Sequence, residues 1–219
     1  SHVRFCEGLG GKFPRATRLV ILFAGSQEQA IAEMNALAEH LRSTLGLELS
    51  VEKTKVTSMT DGFEFLGHRV RLKRSRQGGF YTALEIPKAK AVELRRKVKR
   101  LTGRSTTGHS LSDVFRRLNP ILRGWGHFYR HCHGAHRILS AIDWYVAERC
   151  WRWMRRKHQK TGAKVLLKRY RRRSMIRRRM VWQEDGAEAY LTSTLQVERY
   201  RLGWMKPPDY ATTSGEPDA

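Results

Sequence analysis

The spacing of apolar positions changes part-way along the chain. Leu19-Val20-Ile21-Leu22-Phe23 is a continuous apolar run closed by Gly25, which reads as a buried strand. Ser26 then opens a helix by capping its free amides, with Glu28 and Gln29 in the first turn. Ile31, Met34, Leu37, Ala38, Leu41 and Leu45 form the apolar stripe of that helix, and Gly46 stops it. Leu47–Val51 alternates as a strand, and Lys53-Thr54-Lys55-Val56 follows. Phe63–Val70 alternates again, and Gly78-Gly79 turns it into Phe80–Leu84 as a hairpin. Residues 1–14 are glycine-rich, have no period, and read as irregular.

Pro87 marks a switch to helical spacing. Lys88–Leu101 reads as a basic helix with Val92, Val98 and Leu101 inward. Residues 105–110 form a polar linker. Ser110 caps a helix over Leu111–Ile121 that turns Leu111, Val114, Phe115, Leu118 and Leu122 to the core, with Asp113 in its first turn. A further helix spans Arg137–His158, with Ile138, Ile142, Tyr145, Val146 and Trp153 at helical spacing. Arginine clusters fill 160–181, short β-like pieces follow Trp182, and 211–219 reads as disordered. The pattern predicts an α+β fold: a small strand–helix–hairpin unit over 1–86, a helical unit over 87–160, and a basic extension over 161–219.

Arg123-Gly124-Trp125-Gly126-His127-Phe128-Tyr129-Arg130 closes the predicted helix Leu111–Ile121 and runs toward the next, Arg137–His158. Its glycines let backbone approach closely. Trp125, Phe128 and Tyr129 have the spacing of one helical face, so packing is the expected role of Trp125. Arg123 and Arg130 are the expected functional groups, because bases stack on rings and guanidinium planes.

Charge sharpens this picture. The 219 residues carry a formal net charge of +23. Residues 88–179 alone hold 28 of the 43 Lys and Arg but only four of the 20 acidic residues, a net +24. A charge of that size repels itself unless a polyanion neutralises it, and nucleic acid is the first candidate. Cys6, Cys132 and Cys150 make no disulfide framework, which points to a reduced, cytoplasmic setting. No apolar run reaches the roughly 18–20 residues a membrane span needs. The chain opens abruptly at Ser1, as a piece of a longer protein would.

Three stretches now carry a resemblance: Leu-Glu-Leu-Ser-Val-Glu-Lys-Thr-Lys-Val (47–56), Gly-Phe-Glu-Phe-Leu-Gly-His (62–68) and Leu-Asn-Pro-Ile-Leu-Arg-Gly-Trp-Gly-His-Phe-Tyr-Arg (118–130). Over roughly residues 14–205 the chain resembles group II intron-encoded reverse transcriptase/maturases. The first two stretches look like the last palm motifs of that polymerase, and the third like its maturase-specific thumb domain. The resemblance implies a palm remnant at 1–86, a thumb at 87–160, and structured RNA, group II intron RNA in particular, as partner. In the family a Tyr-Ala-Asp-Asp turn precedes the apolar strand, and its aspartates hold Mg²⁺ for nucleotidyl transfer. Here the aligned positions read Arg15-Ala16-Thr17-Arg18, which cannot replace hard anionic ligands. Whether the chain is an enzyme is therefore open. The expectation is no cofactor, with Mg²⁺ relevant only if an intact polymerase segment, missing here or on another chain, is supplied.

The candidate RNA-binding residues are Lys97, Arg100, Arg123, Arg130, Arg169, Arg171, Arg172, Arg173, Arg177, Arg178 and Arg179. By resemblance, Lys53 sits where the palm lysine approaches the incoming nucleotide. His127, His131, Cys132, His133 and His136 cluster within ten residues, and His127 and His131 could share a helix face. The thumb-like motif needs no metal, so none is expected. No nucleophile–base–acid set and no phosphate-binding glycine loop is present.

Overall fold

The structure, a computed structural model, describes residues 2–7, 18–50, 53–174 and 179–197. They belong to two compact units, 1–93 and 94–219. The tail over 211–219 and positions 15–17 lie outside the described residues.

The first unit holds two antiparallel three-stranded sheets. β1 (His2–Glu7) is central in one of them, flanked by β2 (Arg18–Phe23) and β3 (Thr54–Ser58). The expected irregular start thus contains a strand. His2–Glu7 lies before the glycine cluster and alternates in polarity, and both its edges find backbone partners. α1 (Gln27–Leu45) starts and stops as its local chemistry dictates. Ser26 and Gln29 cap each other reciprocally, at 3.2 and 2.9 Å, and Gly46 ends the helix in the left-handed region, φ 63°. The expected strand over Leu47–Val51 reduces, over the described residues 47–50, to a single bridge at Leu49.

The second sheet orders β4 (Phe63–Phe65), β5 (His68–Arg74) and β6 (Phe80–Glu85). Phe63–Val70 is therefore not one strand but a hairpin. Leu66 and Gly67 both take positive φ, 47° and 79°, and fold Phe65 against His68. A two-residue turn matched to strand twist needs positive φ at both positions. Glycine supplies one without strain, while Leu66 is held there by the paired strands. Burial pushes the Glu85 carboxyl up, but hydrogen bonds from Lys73 and Arg71 outweigh it and hold the group below its ordinary value.

In the second unit the helices build the core. α2 (Lys88–Leu101) has the expected bounds and enters this unit at Leu94. It buries Leu94 and Val98, whereas Val92, expected inward, is exposed. α3 (Leu111–Tyr129) runs eight residues past its expected end, through Pro120, Gly124 and Gly126. Proline and glycine oppose a helix interior. Their cost is met by burial along one face: Leu111, Val114, Phe115, Leu118, Leu122, Gly126 and Tyr129 are all covered. α4 (Ala135–Lys157) follows a left-handed Gly134 and buries Leu139, Ile142, Val146, Cys150, Trp153 and Met154. Part of the arginine-rich stretch is ordered as α5 (Ala163–Tyr170) and β7 (Arg171–Arg173). β8 (Met180–Glu184) pairs with both β7 and β9 (Ala187–Glu188), turning at Asp185-Gly186. Trp182, Ala189, Leu166 and Tyr170 join one hydrophobic cluster with the helices.

Polar side chains tie these elements together. Arg149 is buried on α4 and gives its guanidinium to Thr102 Oγ1 at 3.0 Å, Thr102 O at 2.8 Å and Lys99 O at 3.2 Å. Those carbonyls sit at the C-terminal end of α2, where a cation meets the negative pole of the helix. Glu184 of β8 accepts from the first amides of α3, Leu111 N at 2.5 Å and Ser112 N at 3.2 Å, beside the Ser110–Asp113 capping box. Asn119 holds β9 through Glu188 O and Tyr190 N.

Candidate nucleic-acid interface

The arginine-rich segment is displayed from ordered backbone. β7 pairs its three residues with Met180–Trp182, so Arg171, Arg172 and Arg173 extend from a sheet edge rather than a loose tail. All three are exposed, and none of the described carboxylates forms an ion pair with them. Arg169 closes α5 and lies over the Tyr170 ring at 5.1 Å. A cavity of about 520 Å³ gathers Arg169, Arg172 and Arg173 with Tyr170, Glu184 and Asp185. Arg179 is exposed and donates to Ser193 Oγ at 3.3 Å. Arg177 and Arg178 lie outside the described residues.

The remaining candidates are spread out. Arg100 is exposed in the last turn of α2, and Lys97 is half-buried one turn earlier. Arg123 is exposed on α3 with its guanidinium 5.3 Å from the Tyr190 ring centre. Arg130 follows the end of α3 and directs Nε to His131 Nε2 at 3.0 Å. Lys53 is exposed in the turn before β3, in the first unit.

The stretch Arg123–Arg130 is helix rather than joint. Trp125 and Tyr129 share one face, rings 4.7 Å apart, with Tyr129 buried and Trp125 half-buried against the core. Phe128, expected on that face, is exposed and meets Tyr129 edge-on. Of the two glycines only Gly126 permits a close approach: an added Cβ would stand 2.6 Å from Leu195 Cδ1, whereas at Gly124 it meets open space. Trp125→Ala is expected to cost about 1–3 kcal/mol, below the value for a fully buried ring. Arg123→Ala is expected to leave the melting temperature nearly unchanged, because exposed cation–π contacts contribute about 0.5–1 kcal/mol. Thermal melts of the two variants check the order; an Arg123 variant that melts below the Trp125 variant reverses it.

Other chemistry narrows. Burial pushes the Cys150 thiol up to about 12, Arg149 opposing only in part, so the group is an inert thiol. Burial first, then the charges of Arg169 and Lys157, hold His158 below its ordinary value, and its Nε2 lies 2.8 Å from the Tyr170 hydroxyl. His127 is exposed on α3, while His131 lies beyond the helix end, so the two do not share a helix face. Among the described residues no group of three or more His, Cys, Asp or Glu could hold a metal ion. Nor is any described helix long and apolar enough to cross a membrane.

Sequence reasoning passed over Arg149, Glu184, Asn119, Asp143 and Tyr190. Asp143 takes the amides of Thr192 and Ser193 at 2.7 and 2.8 Å and thereby seats the 3-10 turn Thr192–Thr194 on α4. The one local signal among these was Asp185-Gly186, a strong two-residue hairpin pair that would have placed Glu184 at a strand end.

Residues 92–181 match the family model of the group II intron, maturase-specific domain. The match runs from within α2 to within β8 and includes all of the arginine candidates. Protein YkfC of Escherichia coli (strain K12) is 38% identical over 76 residues, which is 35% of this chain and 20% of that protein. The maturase part of the resemblance is thus supported over 92–181. The match does not reach the palm-like stretches upstream.

Proposed function

We propose, from the maturase-specific domain at residues 92–181, that this chain binds structured RNA of group II introns and assists their folding and splicing without polymerase chemistry of its own. The observation that carries the reading is the pairing of that domain with exposed arginines along β7 that form no ion pair with a described carboxylate. Phosphate contacts supply affinity, and a fixed array of cations confers preference for one RNA shape over another. Intron RNA supplies the reactive groups of splicing, so a protein in this role acts by holding the RNA in its reactive fold. The test is competition between a group II intron RNA and an unrelated structured RNA of equal length, with the full chain at rising salt. Retained preference for the intron as overall affinity falls is the expected result. Equal affinity at every salt concentration would leave only non-specific polyanion binding.

A second reading makes the chain part of an RNA-directed DNA polymerase. It is favoured by residues 47–56 and 62–68, which resemble the last palm motifs of that polymerase. Lys53 would then approach the incoming nucleotide, with Mg²⁺ held by carboxylates that 15–18 do not offer. The chain alone is expected to show no template-dependent primer extension with dNTPs and Mg²⁺. Extension above a mock preparation would overturn that expectation.

A further inference from the structure

A second, less polar cavity of about 430 Å³ opens between α4, β8 and residues 189–191. Trp144, Trp151, Trp182 and Tyr190 line it, with Arg171 and Met180. Burial separates its base from its mouth. Trp182 is 8% exposed, while Trp144 is 71% exposed and Met180 52%. The base is braced. Trp182 donates Nε1 to Ala147 O at 3.0 Å and lies nearly parallel to Trp151, 9° between planes and 5.8 Å between centres. A tryptophan left largely in water beside such a cavity exposes a large apolar face that folding alone does not explain.

We propose that this cavity receives one unpaired nucleobase of a bound RNA, stacked on Trp144, with the adjoining phosphate at Arg171. The inference rests on the RNA-binding reading above. Three cations surround the aromatic lining. Arg171 lies over Trp182 at 5.9 Å, Arg155 over Trp151 at 5.8 Å and Arg123 over Tyr190 at 5.3 Å. The two carboxylates that border the cavity are already engaged: Asp143 with Thr192 and Ser193, Glu148 with Arg152 at 2.7 Å. The available charge is therefore positive around flat apolar surfaces. That combination fits an aromatic base carried on an anionic backbone, whereas an apolar peptide would leave the arginines uncompensated. The volume falls within the range of small-ligand pockets, room for a base and its sugar. Arg171 then belongs both to the β7 array and to the cavity, so a backbone gripped along β7 delivers its unpaired base to this mouth.

The test uses the full chain with two labelled RNA hairpins, one carrying a single unpaired adenosine bulge and one fully paired. The bulged hairpin is expected to bind about five- to a hundredfold more tightly, the range of one base–aromatic stack. Trp144→Ala is expected to abolish that preference while leaving affinity for the paired hairpin and the melting temperature unchanged. Trp144→Phe is expected to restore most of it. If the parent binds both hairpins alike, or if Trp144→Ala keeps the preference or weakens both equally, the cavity does not hold a base. A Trp144→Ala change that instead dissociates a dimer of the chain makes the cavity a protein-docking surface and overturns the inference. Binding of neither hairpin would remove the RNA-binding reading itself; binding of both without preference removes only the cavity.

Discussion

Replacing Arg171, Arg172 and Arg173 together by Ala is expected to weaken binding to structured RNA about ten- to a hundredfold near 0.15 M salt and to flatten the slope of log K against log salt by about 2 to 3. The slope is the sharper readout. Each neutralised phosphate contributes about 0.9 on duplex and about 0.7 on single strands, so removing three phosphate-binding arginines sets that range. Folding should be largely spared. β7 is joined to β8 through backbone groups, which the substitution keeps, and the three side chains are exposed. The cation–π contact of Arg171 with the Trp182 ring, at 5.9 Å, is removed, a matter of about 0.5–1 kcal/mol. Fluorescence anisotropy at four or five salt concentrations, beside a thermal melt, separates the two effects. An unchanged slope would mean that this array does not touch phosphate, whatever happens to affinity.

Trp153→Ala is expected to have the largest effect on stability, about 3–5 kcal/mol. The ring is 1% exposed within the helical core. Its Nε1 donates to Thr106 Oγ1 at 3.0 Å, and the single proton of that hydroxyl is shared between Gly103 O at 2.9 Å and Leu101 O at 3.0 Å. The indole thus fills the core and fastens α4 to the turn that follows α2. Truncation opens a cavity and leaves Thr106 with one partner fewer. Against a usual domain stability of roughly 5–15 kcal/mol, the variant should be partly unfolded near 37 °C or melt ten degrees or more below the parent. Trp153→Phe keeps most of the ring but loses the donor, and should fall between. Trp144→Ala, at an exposed position, is the internal control and should melt with the parent. A Trp153→Ala chain that melts within two degrees of the parent would contradict this packing.

What could be read from the sequence was local. Ser26, Ser110 and Gly46 set helix ends through hydrogen bonds that reach three to five residues along the chain. Gly78-Gly79 made its turn for the same reason, and helical spacing found α2 at its observed bounds. The concentration of positive charge in 88–179 is a property of composition, and it alone pointed to a polyanion partner. Tertiary structure decided what depended on groups far apart in sequence. α3 outlasts Pro120 and two glycines because burial of Gly126 and Tyr129 outweighs their poor helical propensity, and no local rule contains that burial. Arg149 looked like one more basic residue, but it is spent on carbonyls 47 and 50 residues away. Glu184 reaches the start of α3 across 73 residues. Four aromatic side chains from α4, β8 and residue 190 converge on one cavity only once β8 lies against α4. Local chemistry determined where α1 begins and ends, where α3 begins, and what sign of partner the chain attracts. Burial, which sums over interactions between distant residues, decided how long α3 runs, that Arg149 is withdrawn into the core, and where an aromatic surface is left open.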